Sequence, residues 1–316
     1  MECMTETMRT VRQEALGGAE VLNLTDSPIP APNATEILVK THAAGVNPID
    51  WKIREYGLWL TPPFGVGWDV SGTVVAVSPG ENRFKVGDEV FGLPAFPNEA
   101  AGYSEYVAGP ARHFARKPSA LDHVQAAALP MAALTAWQAL VDGADIQPGQ
   151  RVLVHAAAGG VGHLAVQIAK ARGAYVIGTA SAAKHDVLRE LGADEVVDYT
   201  AVDFTEAVKD VDVVLDLIGG EYEDRSLRTL RPGGTYIGVI NPLALDEIRA
   251  KAEALGLRGI TVNVAPDHAV LEQVAALAEE GRLRPLVAGT FPLQDVRKAH
   301  ELSQSQRATG KIVLTF

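Results

Sequence analysis

The sequence predicts an α/β protein whose middle part is a doubly wound parallel sheet and whose two ends are β-rich. Three observations lead to this prediction. Short β-branched runs fill the first part of the chain, apolar runs alternate with alanine-rich helical patterns in the middle, and the tail has the pattern of a strand, a helix and a strand. We expect a first domain segment at 1–123, a central domain at 124–283 and a C-terminal segment at 284–316 that returns to the first.

The composition is that of a globular chain and disfavours several classes of protein. Of 316 residues, 47% are apolar and 21% are charged. The 28 Lys and Arg stand against 39 Asp and Glu, and a net charge of −11 disfavours a nucleic-acid-binding surface. Cys3 is the single cysteine, which excludes a disulfide framework and a cysteine-cluster zinc site.

No segment predicts export or membrane insertion. Residues 1–6 contain acids and lack the apolar core of a secretory signal peptide. Two long uncharged stretches, 124–141 and 152–169, are interrupted by proline, glutamine, glycine and histidine and are too polar to span a bilayer. We therefore expect a cytoplasmic protein that binds neither membranes nor nucleic acids.

The first segment has the pattern of short strands separated by tight turns. The β-branched runs are Glu36–Lys40, Gly72–Val77 and Glu89–Phe91. Turn residues follow or precede them at Ser78–Gly80 and Val86–Asp88. Frequent glycine and proline between short strands indicate a barrel-like β unit.

The central segment predicts a parallel sheet. Its six apolar runs are Val152–His155, Tyr175–Thr179, Glu195–Val197, Val211–Leu215, Thr235–Ile240 and Ile260–Val264. Helical patterns separate most of them, for example Val161–Arg172 before Gly173, and Ala182–Leu191 with Ser181 as its N-cap. Continuously apolar strands that alternate with helices form parallel sheets covered on both faces. Six strands in this rhythm are typical of a doubly wound dinucleotide-binding domain.

The strongest chemical motif is a glycine loop that joins the first of these strands to a helix. From Ala157 the pattern is A-x-G-x-x-G, and it ends at Gly162. Small residues let the backbone approach a pyrophosphate, and the helix that follows offers free N–H groups and the positive end of its dipole. The candidate cofactor-binding residues of this loop are Ala158, Gly159, Gly160, Val161 and Gly162.

The residues at the end of the second strand favour NADP(H) over NAD(H). A site for NAD usually has Asp or Glu about 20 residues after the loop, where it binds the ribose diol. Here Thr179 stands near that place, and no acid occurs in Gly178–Lys184. Ser181 can donate a hydrogen bond to a 2′-phosphate and Lys184 can add charge. The structural alternative is a helix-capping serine and a solvated surface lysine.

Taken together, the motifs identify a known family. The chain resembles the zinc-free quinone oxidoreductase branch of the medium-chain dehydrogenase/reductase superfamily along nearly its whole length. The matching motifs are Gly45–Asp50, Gly67–Gly72, Val86–Gly92, Leu134–Trp137, the glycine loop and Gly310–Leu314.

The resemblance implies a GroES-like, mainly β catalytic domain built from both chain ends around a Rossmann cofactor domain. It also implies NADPH as cofactor and homodimers joined through the cofactor domains. Family members use residues similar to Ser181, Lys184 and Tyr199 around the 2′-phosphate. Thr135 resembles a family threonine near the nicotinamide, and Asn241 is assigned to the cofactor site with it.

The same resemblance disfavours a catalytic zinc. Zinc-dependent relatives carry a cysteine ligand where this chain has Asn47, and a His-Glu pair where it has Trp68-Asp69. Asparagine and tryptophan do not replace thiolate and imidazole as zinc ligands. His155 and His163, which flank the glycine loop, are expected to be packing or surface residues. Without a strong Lewis acid, hydride addition to a quinone or an α,β-unsaturated carbonyl compound is favoured over alcohol oxidation.

Three residues near the start of the chain are the catalytic candidates. Asn47 is the expected polar contact near the nicotinamide ribose or the substrate oxygen. Lys52 stands where family members often have tyrosine, so it is a candidate donor, and the alternative is a surface pair with Glu55. Tyr56 is either core or pocket wall, and together with Trp59 and Trp68 can line an apolar pocket for flat acceptors.

Three functions remain open from the sequence. The first is an NADPH-dependent reductase of quinones or activated alkenes, with a small-molecule acceptor as its partner. The second is an enoyl-thioester reductase of lipid or polyketide metabolism, because that branch shares the zinc-free core. The third is an NADPH-binding sensor or structural protein without catalytic turnover.

Overall fold

The computed structural model describes residues 6–316, so Cys3 lies outside the described residues. The chain divides into two compact units. One consists of the chain up to Leu134 together with Ala265–Phe316, and the other is Thr135–Val264. The central unit is shorter at both ends than the expected 124–283, and at its C-terminal end the reason is that the helix His268–Glu279 packs against the strand Phe114–Arg116 of the split unit.

The split unit is mainly β, as the β-branched runs of the first segment predict. The strands in its N-terminal part, up to Leu134, are β1 (Thr7–Gln13), β2 (Asn23–Pro28), β3 (Glu36–Val46), β4 (Phe64–Gly65), β5 (Asp69–Val77), β6 (Glu89–Gly92), β7 (Tyr106–Pro110) and β8 (Phe114–Arg116). A small sheet has the order β2–β1–β4, and the remaining strands enter a seven-stranded sheet.

The central unit contains one six-stranded sheet in which every pairing is parallel. Its strands are β9 (Arg151–Val154), β10 (Tyr175–Thr179), β11 (Glu195–Val197), β12 (Val211–Asp216), β13 (Leu230–Gly238) and β14 (Arg258–Thr261). The spatial order is β11–β10–β9–β12–β13–β14, which is the doubly wound order. The predicted fold class is therefore confirmed, and the strand order reverses between β9 and β12.

The tail completes the sheet of the split unit. It contains β15 (Val287–Pro292) and β16 (Lys311–Thr315), and the larger sheet has the order β15–β16–β3–β5–β6–β8, with β7 also paired to β3. β16 runs antiparallel to β3 with Val313 opposite Gly45. Both ends of the chain thus share one sheet, as the sequence pattern of the tail predicts.

The α-helices connect the strands and cover the sheets. They are α1 (Pro48–Tyr56), α2 (His123–Ala127), α3 (Pro130–Trp137), α4 (Gly162–Ala171), α5 (His185–Glu190), α6 (Phe204–Ala207), α7 (Glu221–Leu227), α8 (Leu245–Ala254), α9 (His268–Glu279) and α10 (Val296–Gln304). The predicted helix at 182–191 is divided into a 3-10 turn, Ala182–Lys184, and α5. No helix within residues 6–316 is long and apolar enough to cross a membrane.

The core of the central unit lies against its sheet. Leu153, Val214 and Tyr236 project from three neighbouring strands into one buried cluster, which Ile248 of α8 joins. A separate cluster in the split unit contains Ile37, Val70, Val90 and Phe114 from its larger sheet. Each unit therefore has its own apolar core.

Candidate functional site

The glycine loop lies between β9 and α4 and consists mostly of alanine and glycine. Ala156 has a positive φ of 47°, and the Gly159 N–H donates to its carbonyl oxygen at 2.8 Å. Val161 is the N-cap residue of α4 and makes no side-chain capping bond. The His163 and Leu164 N–H groups at the start of α4 donate to the carbonyl oxygens of Gly159 and Val161 at 3.2 and 3.1 Å, so the positive end of the helix dipole is what suits this end of α4 to an anionic group.

Close packing explains the glycines of the loop. A Cβ at Gly162 would lie 2.8 Å from the Ala157 Cα and would also meet the carbonyl oxygen of Ala156. A Cβ at Gly178 of β10 would lie 2.9 Å from the Ala157 Cβ. Ala158 is buried, whereas Gly159, Gly160 and Val161 are half-exposed. Two of these three half-exposed residues are glycines, and small residues of this kind let a backbone approach a pyrophosphate closely.

The last side chain of β10 points into the protein. Thr179 is 1% exposed, and its hydroxyl lies 3.1 Å from Nδ1 of His155. The other ring nitrogen of His155 lies 3.0 Å from the Ser226 hydroxyl, and Phe204 packs edge-on against the ring at 4.6 Å. Burial lowers the pKa of His155 to about 4, so the imidazole is neutral at pH 7. His155 is a packing residue, as expected.

The two residues expected to bind a 2′-phosphate follow β10 directly. Ser181 takes the N-cap position of the 3-10 turn, as predicted, but its side chain makes no capping bond. Its carbonyl oxygen accepts from the Lys184 N–H at 2.9 Å, and both residues are half-exposed. No ion pair of Lys184 occurs among the described residues. Hydroxyl and ammonium are therefore both available to a ligand.

An acid does stand at this edge, but at the end of β11 rather than β10. The carboxylate of Asp198 accepts from the Thr200 hydroxyl at 2.6 Å and from the Thr200 N–H at 2.9 Å. These bonds, with a further one from the Ala182 N–H, lower the pKa of Asp198. Tyr199 follows it and is 48% exposed. Sequence reasoning missed Asp198 because it considered only the second strand.

Two further cofactor candidates lie on separate elements. Thr135 is buried in α3, and Asn241 is exposed just after β13. Asn241 helps to line a cavity of about 290 Å³ at the carboxyl ends of β12 and β13. At the base of this cavity the buried Asp216 accepts from the Tyr236 hydroxyl at 2.7 Å and from the Gly219 N–H at 2.9 Å.

In the split unit, Asn47 lies at the centre of a buried polar cluster. Its N–H donates to Asp50 Oδ2 at 2.7 Å, so Asp50 caps the start of α1. Its side-chain Nδ2 donates to Asp69 Oδ2 at 2.9 Å, and its Oδ1 accepts from Lys311 Nζ. Asn47 itself is only 3% exposed.

The same cluster contains two buried carboxyl groups and a buried ammonium. Lys311 Nζ lies 3.2 Å from Asp69 Oδ2, and the Tyr103 hydroxyl donates to Asp50 at 2.6 Å. Burial raises the pKa of Asp50 to about 7 and also raises the pKa of Asp69. Sequence reasoning missed Lys311. The available signal was its position directly before the apolar run Ile312–Leu314, which indicates a lysine that is buried with the strand.

Lys52 lies on α1 and is half-buried. Its Nζ is 5.8 Å from the Trp51 ring centroid, and burial lowers its pKa. The alternative of a surface pair with Glu55 is wrong, because the Glu55 carboxylate lies 3.6 Å from Arg54 and accepts from Gln304. Among the described residues Lys52 forms no ion pair.

The three aromatic residues expected in a pocket wall do not share one environment. Tyr56 is 61% exposed and Trp59 is 46% exposed. Trp68 is fully buried, packs edge-on against Phe96 at 5.5 Å and donates to the Asn98 carbonyl oxygen at 2.7 Å. The expectation that Trp68 lines an open pocket is therefore corrected, since its ring belongs to the core.

No group of three or more His, Cys, Asp or Glu side chains in residues 6–316 is arranged to hold a metal ion. At the place where a ligand set was considered from the sequence, Asn47 and Asp69 direct oxygen atoms at the Lys311 ammonium. The Trp68 ring nitrogen is a donor only and is already bonded to a carbonyl oxygen.

Two family models match the chain. The model described as "Alcohol dehydrogenase GroES-like domain" matches residues 33–119, and the model described as "Zinc-binding dehydrogenase" matches residues 191–314. The first match lies in the split unit, and the second covers parts of both units.

Full-length relatives support the same relationship. The chain is 34% identical to a quinone oxidoreductase of Pongo abelii over 324 residues, an alignment that covers 97% of each protein. It is also 39% identical over 287 residues to the polyketide synthase GfsB of Streptomyces halstedii, covering 89% of this chain and 5% of that protein.

Solved structures share the fold. The quinone oxidoreductase of Coxiella burnetii superimposes with a TM-score of 0.92 at 34% identity, covering 98% of this chain and 100% of that one. The CurK enoyl reductase superimposes with a TM-score of 0.86 at 28% identity, covering 98% and 99%.

Proposed function

Because the chain belongs to the zinc-free quinone oxidoreductase branch of the medium-chain dehydrogenase/reductase superfamily, we propose that it reduces quinones or α,β-unsaturated carbonyl compounds with NADPH, without zinc. Membership implies an oxidoreductase with a nicotinamide cofactor. The observation that carries the finer proposal is the glycine loop before α4 together with Ser181 and Lys184 after β10, neither of which has a capping or ion-pair partner among the described residues.

The central unit provides the proposed cofactor site. Ala158–Gly162 would hold the pyrophosphate, and Ser181, Lys184 and Tyr199 would hold the 2′-phosphate. Hydrogen bonds from Thr200 and Ala182 keep the Asp198 carboxylate ionised, so its charge opposes a 2′-phosphate and the Lys184 ammonium has to outweigh it. Thr135 and Asn241 are proposed toward the nicotinamide end. When bound, the nicotinamide supplies the hydride.

The split unit provides the proposed acceptor contacts. The Asn47 amide has one proton directed at Asp69, which leaves its second proton for an oxygen atom of the acceptor or the ribose. Lys52 carries a half-buried ammonium without a carboxylate partner in the described chain, so it can donate to the negative charge that develops on that oxygen. Tyr56 and Trp59 offer exposed aromatic surface for a flat acceptor.

Zinc has no role in this proposal. The oxygens of Asn47 and Asp69 accept from Lys311, and Trp68 cannot act as a metal ligand. A quinone or an enone needs less help than an alcohol, because conjugation already spreads the arriving negative charge onto oxygen.

The test is steady-state turnover of a quinone and an enone with NADPH, compared with oxidation of ethanol and benzyl alcohol with NADP⁺. We expect acceptor reduction to be faster by a wide margin. Faster alcohol oxidation would contradict the proposed chemistry, and absence of all turnover would favour an NADPH-binding sensor or structural protein.

An enoyl-thioester reductase is the second candidate function. The similarity to a segment of GfsB and to the CurK enoyl reductase favours it specifically. The two candidates differ in the activating group, since a thioester extends into a long pantetheine arm whereas a quinone is compact. Comparison of kcat/KM for an enoyl thioester with that for a simple enone of equal chain length separates them.

We also propose that the protein is a homodimer joined through its central units. β14 is an edge strand of the six-stranded sheet. Leu243 and Ile240, which follow the neighbouring strand β13, are 95% and 45% exposed. Exposed edges and apolar side chains of this kind favour association. Sedimentation velocity tests the proposal.

A further inference from the structure

We propose that Lys311 is a positioning residue whose ammonium holds the Asn47 amide in one orientation for the reaction. This inference rests on the proposed function, because it requires Asn47 to contact the acceptor or the cofactor. Lys311 belongs to the Gly310–Leu314 motif, for which the reductase proposal itself assigns no role.

Strand register brings the three side chains together. β3 pairs with β16 on one side, with Ile312 opposite Val46, and with β5 on the other, with Asp69 opposite Gly45. Lys311 and Asp69 therefore arrive at the end of β3, directly before Asn47. Gly45 makes room for this meeting, because a Cβ there would lie 2.8 Å from Asp69 Oδ2.

Electrostatics permits one amide orientation. The side chains of Lys311 and Asp69 are 3% and 0% exposed, so water does not screen them. Asn47 directs its Oδ1 to the ammonium and its Nδ2 to the carboxylate. A flipped amide would place its N–H groups against the ammonium and its oxygen against the carboxylate, which removes two hydrogen bonds and creates two repulsive contacts.

The cluster also fixes the beginnings of two helices. Asn47 immediately precedes α1, which carries Lys52 and Tyr56. Asp69 Oδ1 accepts from the Met131 N–H at 2.8 Å, at the start of α3. In this proposal Lys311 acts through Asn47 and does not contact a reactant itself. Loss of its ammonium removes the hydrogen bond that orients the Asn47 amide.

If Lys311 had only a structural role, its ammonium would simply neutralise the buried charge of Asp69. Kinetic measurements distinguish this role from the positioning of Asn47. Lys311→Met should lower kcat by about 100-fold with a much smaller change in KM, since small misplacements of a contact have effects of this size. Lys311→Arg, which retains a cationic donor, should recover part of the loss. Lys40→Met is the matched control, because Lys40 is exposed on the same sheet, and should retain parental kinetics.

A double-mutant cycle is the decisive measurement. If Lys311 acts through Asn47, Lys311→Met should have little further effect on kcat in an Asn47→Ala background. An equal fold-loss in both backgrounds would overturn the inference while leaving the proposed reaction intact. If the parent protein reduces neither quinone nor enone, the proposed function fails and the inference fails with it. If Lys311→Met does not fold, Lys311→Met is introduced together with Asp69→Asn, so that neither member of the buried ion pair is charged. The cycle then compares this double variant with Asp69→Asn alone, with and without Asn47→Ala.

Discussion

The Nδ1 atom of His155 lies 3.1 Å from the hydroxyl of Thr179, and this contact turns the last side chain of β10 inward. Thr179 is at the position from which an acid would bind the ribose of NAD. The Thr179 hydroxyl instead contacts His155 inside the protein. We therefore expect the residues that follow β10, Ser181 and Lys184, to recognise the 2′ group of the cofactor.

Lys184→Ala should therefore weaken NADPH binding selectively. Loss of one charge-assisted contact to a phosphate costs on the order of 1.5–3 kcal/mol, which is about 10- to 160-fold in Kd. NADH binding should change little, and fluorescence titration with both cofactors measures the difference. Lys209→Ala is the control, because Lys209 is exposed elsewhere on the central unit. Equal weakening of both cofactors by Lys184→Ala would contradict the assignment.

Gly162→Ala should disrupt the glycine loop more than Gly159→Ala. A Cβ at Gly162 would lie 2.8 Å from the Cα of Ala157, a backbone atom that cannot move alone, whereas at Gly159 the nearest contact is 3.1 Å, to the Ala156 carbonyl oxygen. We expect Gly162→Ala to raise the Kd for NADPH by about tenfold or more, since the pyrophosphate contacts depend on this turn. Similar affinities of the two variants would argue against a role for this close packing.

Asp50 should make stability depend on pH. Burial raises its folded-state pKa from 3.8 to about 7, so the folded protein binds a proton that the unfolded chain releases. The stabilisation is complete below the unfolded pKa and is lost as pH rises through about 7. Asp50→Asn mimics the protonated form. Relative to this variant, the parent should lose roughly 3 kcal/mol of unfolding free energy between pH 4 and pH 7.

Urea unfolding at a series of pH values checks this expectation, with Asp203→Asn as the control. Hydrogen bonds from Thr205 and Arg225 lower the pKa of Asp203 to about 2, so its contribution is lost only when pH falls through that range. The difference between the parent and Asp203→Asn should be flat between pH 5 and pH 7. A flat difference for Asp50→Asn as well would show that Asp50 is ionised throughout.

Arg54→Met should destabilise the split unit. Arg54 is fully buried and donates to the Gly17 carbonyl oxygen at 3.1 Å and to Gln304 at 3.1 Å. It also lies 3.2 Å from Nδ1 of His300, whose pKa falls to about 3 because of burial and the Arg54 charge. Breaking such a buried set costs about 3–5 kcal/mol. Urea unfolding should show this loss, whereas Arg189→Ala, at an exposed pair with Asp186, should change stability by less than about 0.5 kcal/mol.

Chelation should leave acceptor reduction unchanged. Asn47 and Asp69 already bond to Lys311, and tryptophan at position 68 offers no lone pair to a metal. Elemental analysis before and after treatment with a chelator is expected to find no stoichiometric zinc. One zinc per chain, with activity lost on removal and restored on addition, would refute the proposal.

Local sequence patterns predicted the architecture because the same pattern, an apolar strand followed by a helix, recurs along the central part of the chain. Each of the six central strands has a continuous apolar run, and each is present in the sheet within a few residues of its expected bounds. The boundaries were less predictable, since they depend on packing. α9 follows the central strands along the chain but packs on β8, so the central unit ends at Val264 instead of residue 283.

The positions of the glycine loop, between β9 and α4, and of Ser181 and Lys184, between β10 and α5, were predictable because each lies within a single strand–turn–helix segment, where spacing along the chain nearly determines spacing in three dimensions. The buried cluster was not predictable in this way. Lys311 and Asp69 are 242 residues apart, and their meeting depends on the register of β16 and β5 on either side of β3.

The sequence alone therefore determined the class of fold, the nucleotide-type loop and the absence of an acid after β10, all of which depend on residues that are near neighbours along the chain. Tertiary structure decided which side chains are buried and what they contact. It placed Trp68 in the core, turned Thr179 toward His155, and surrounded Asn47 with Asp69 and Lys311. Burial, pKa and amide orientation depend on groups that only folding brings together, so no local pattern could predict them.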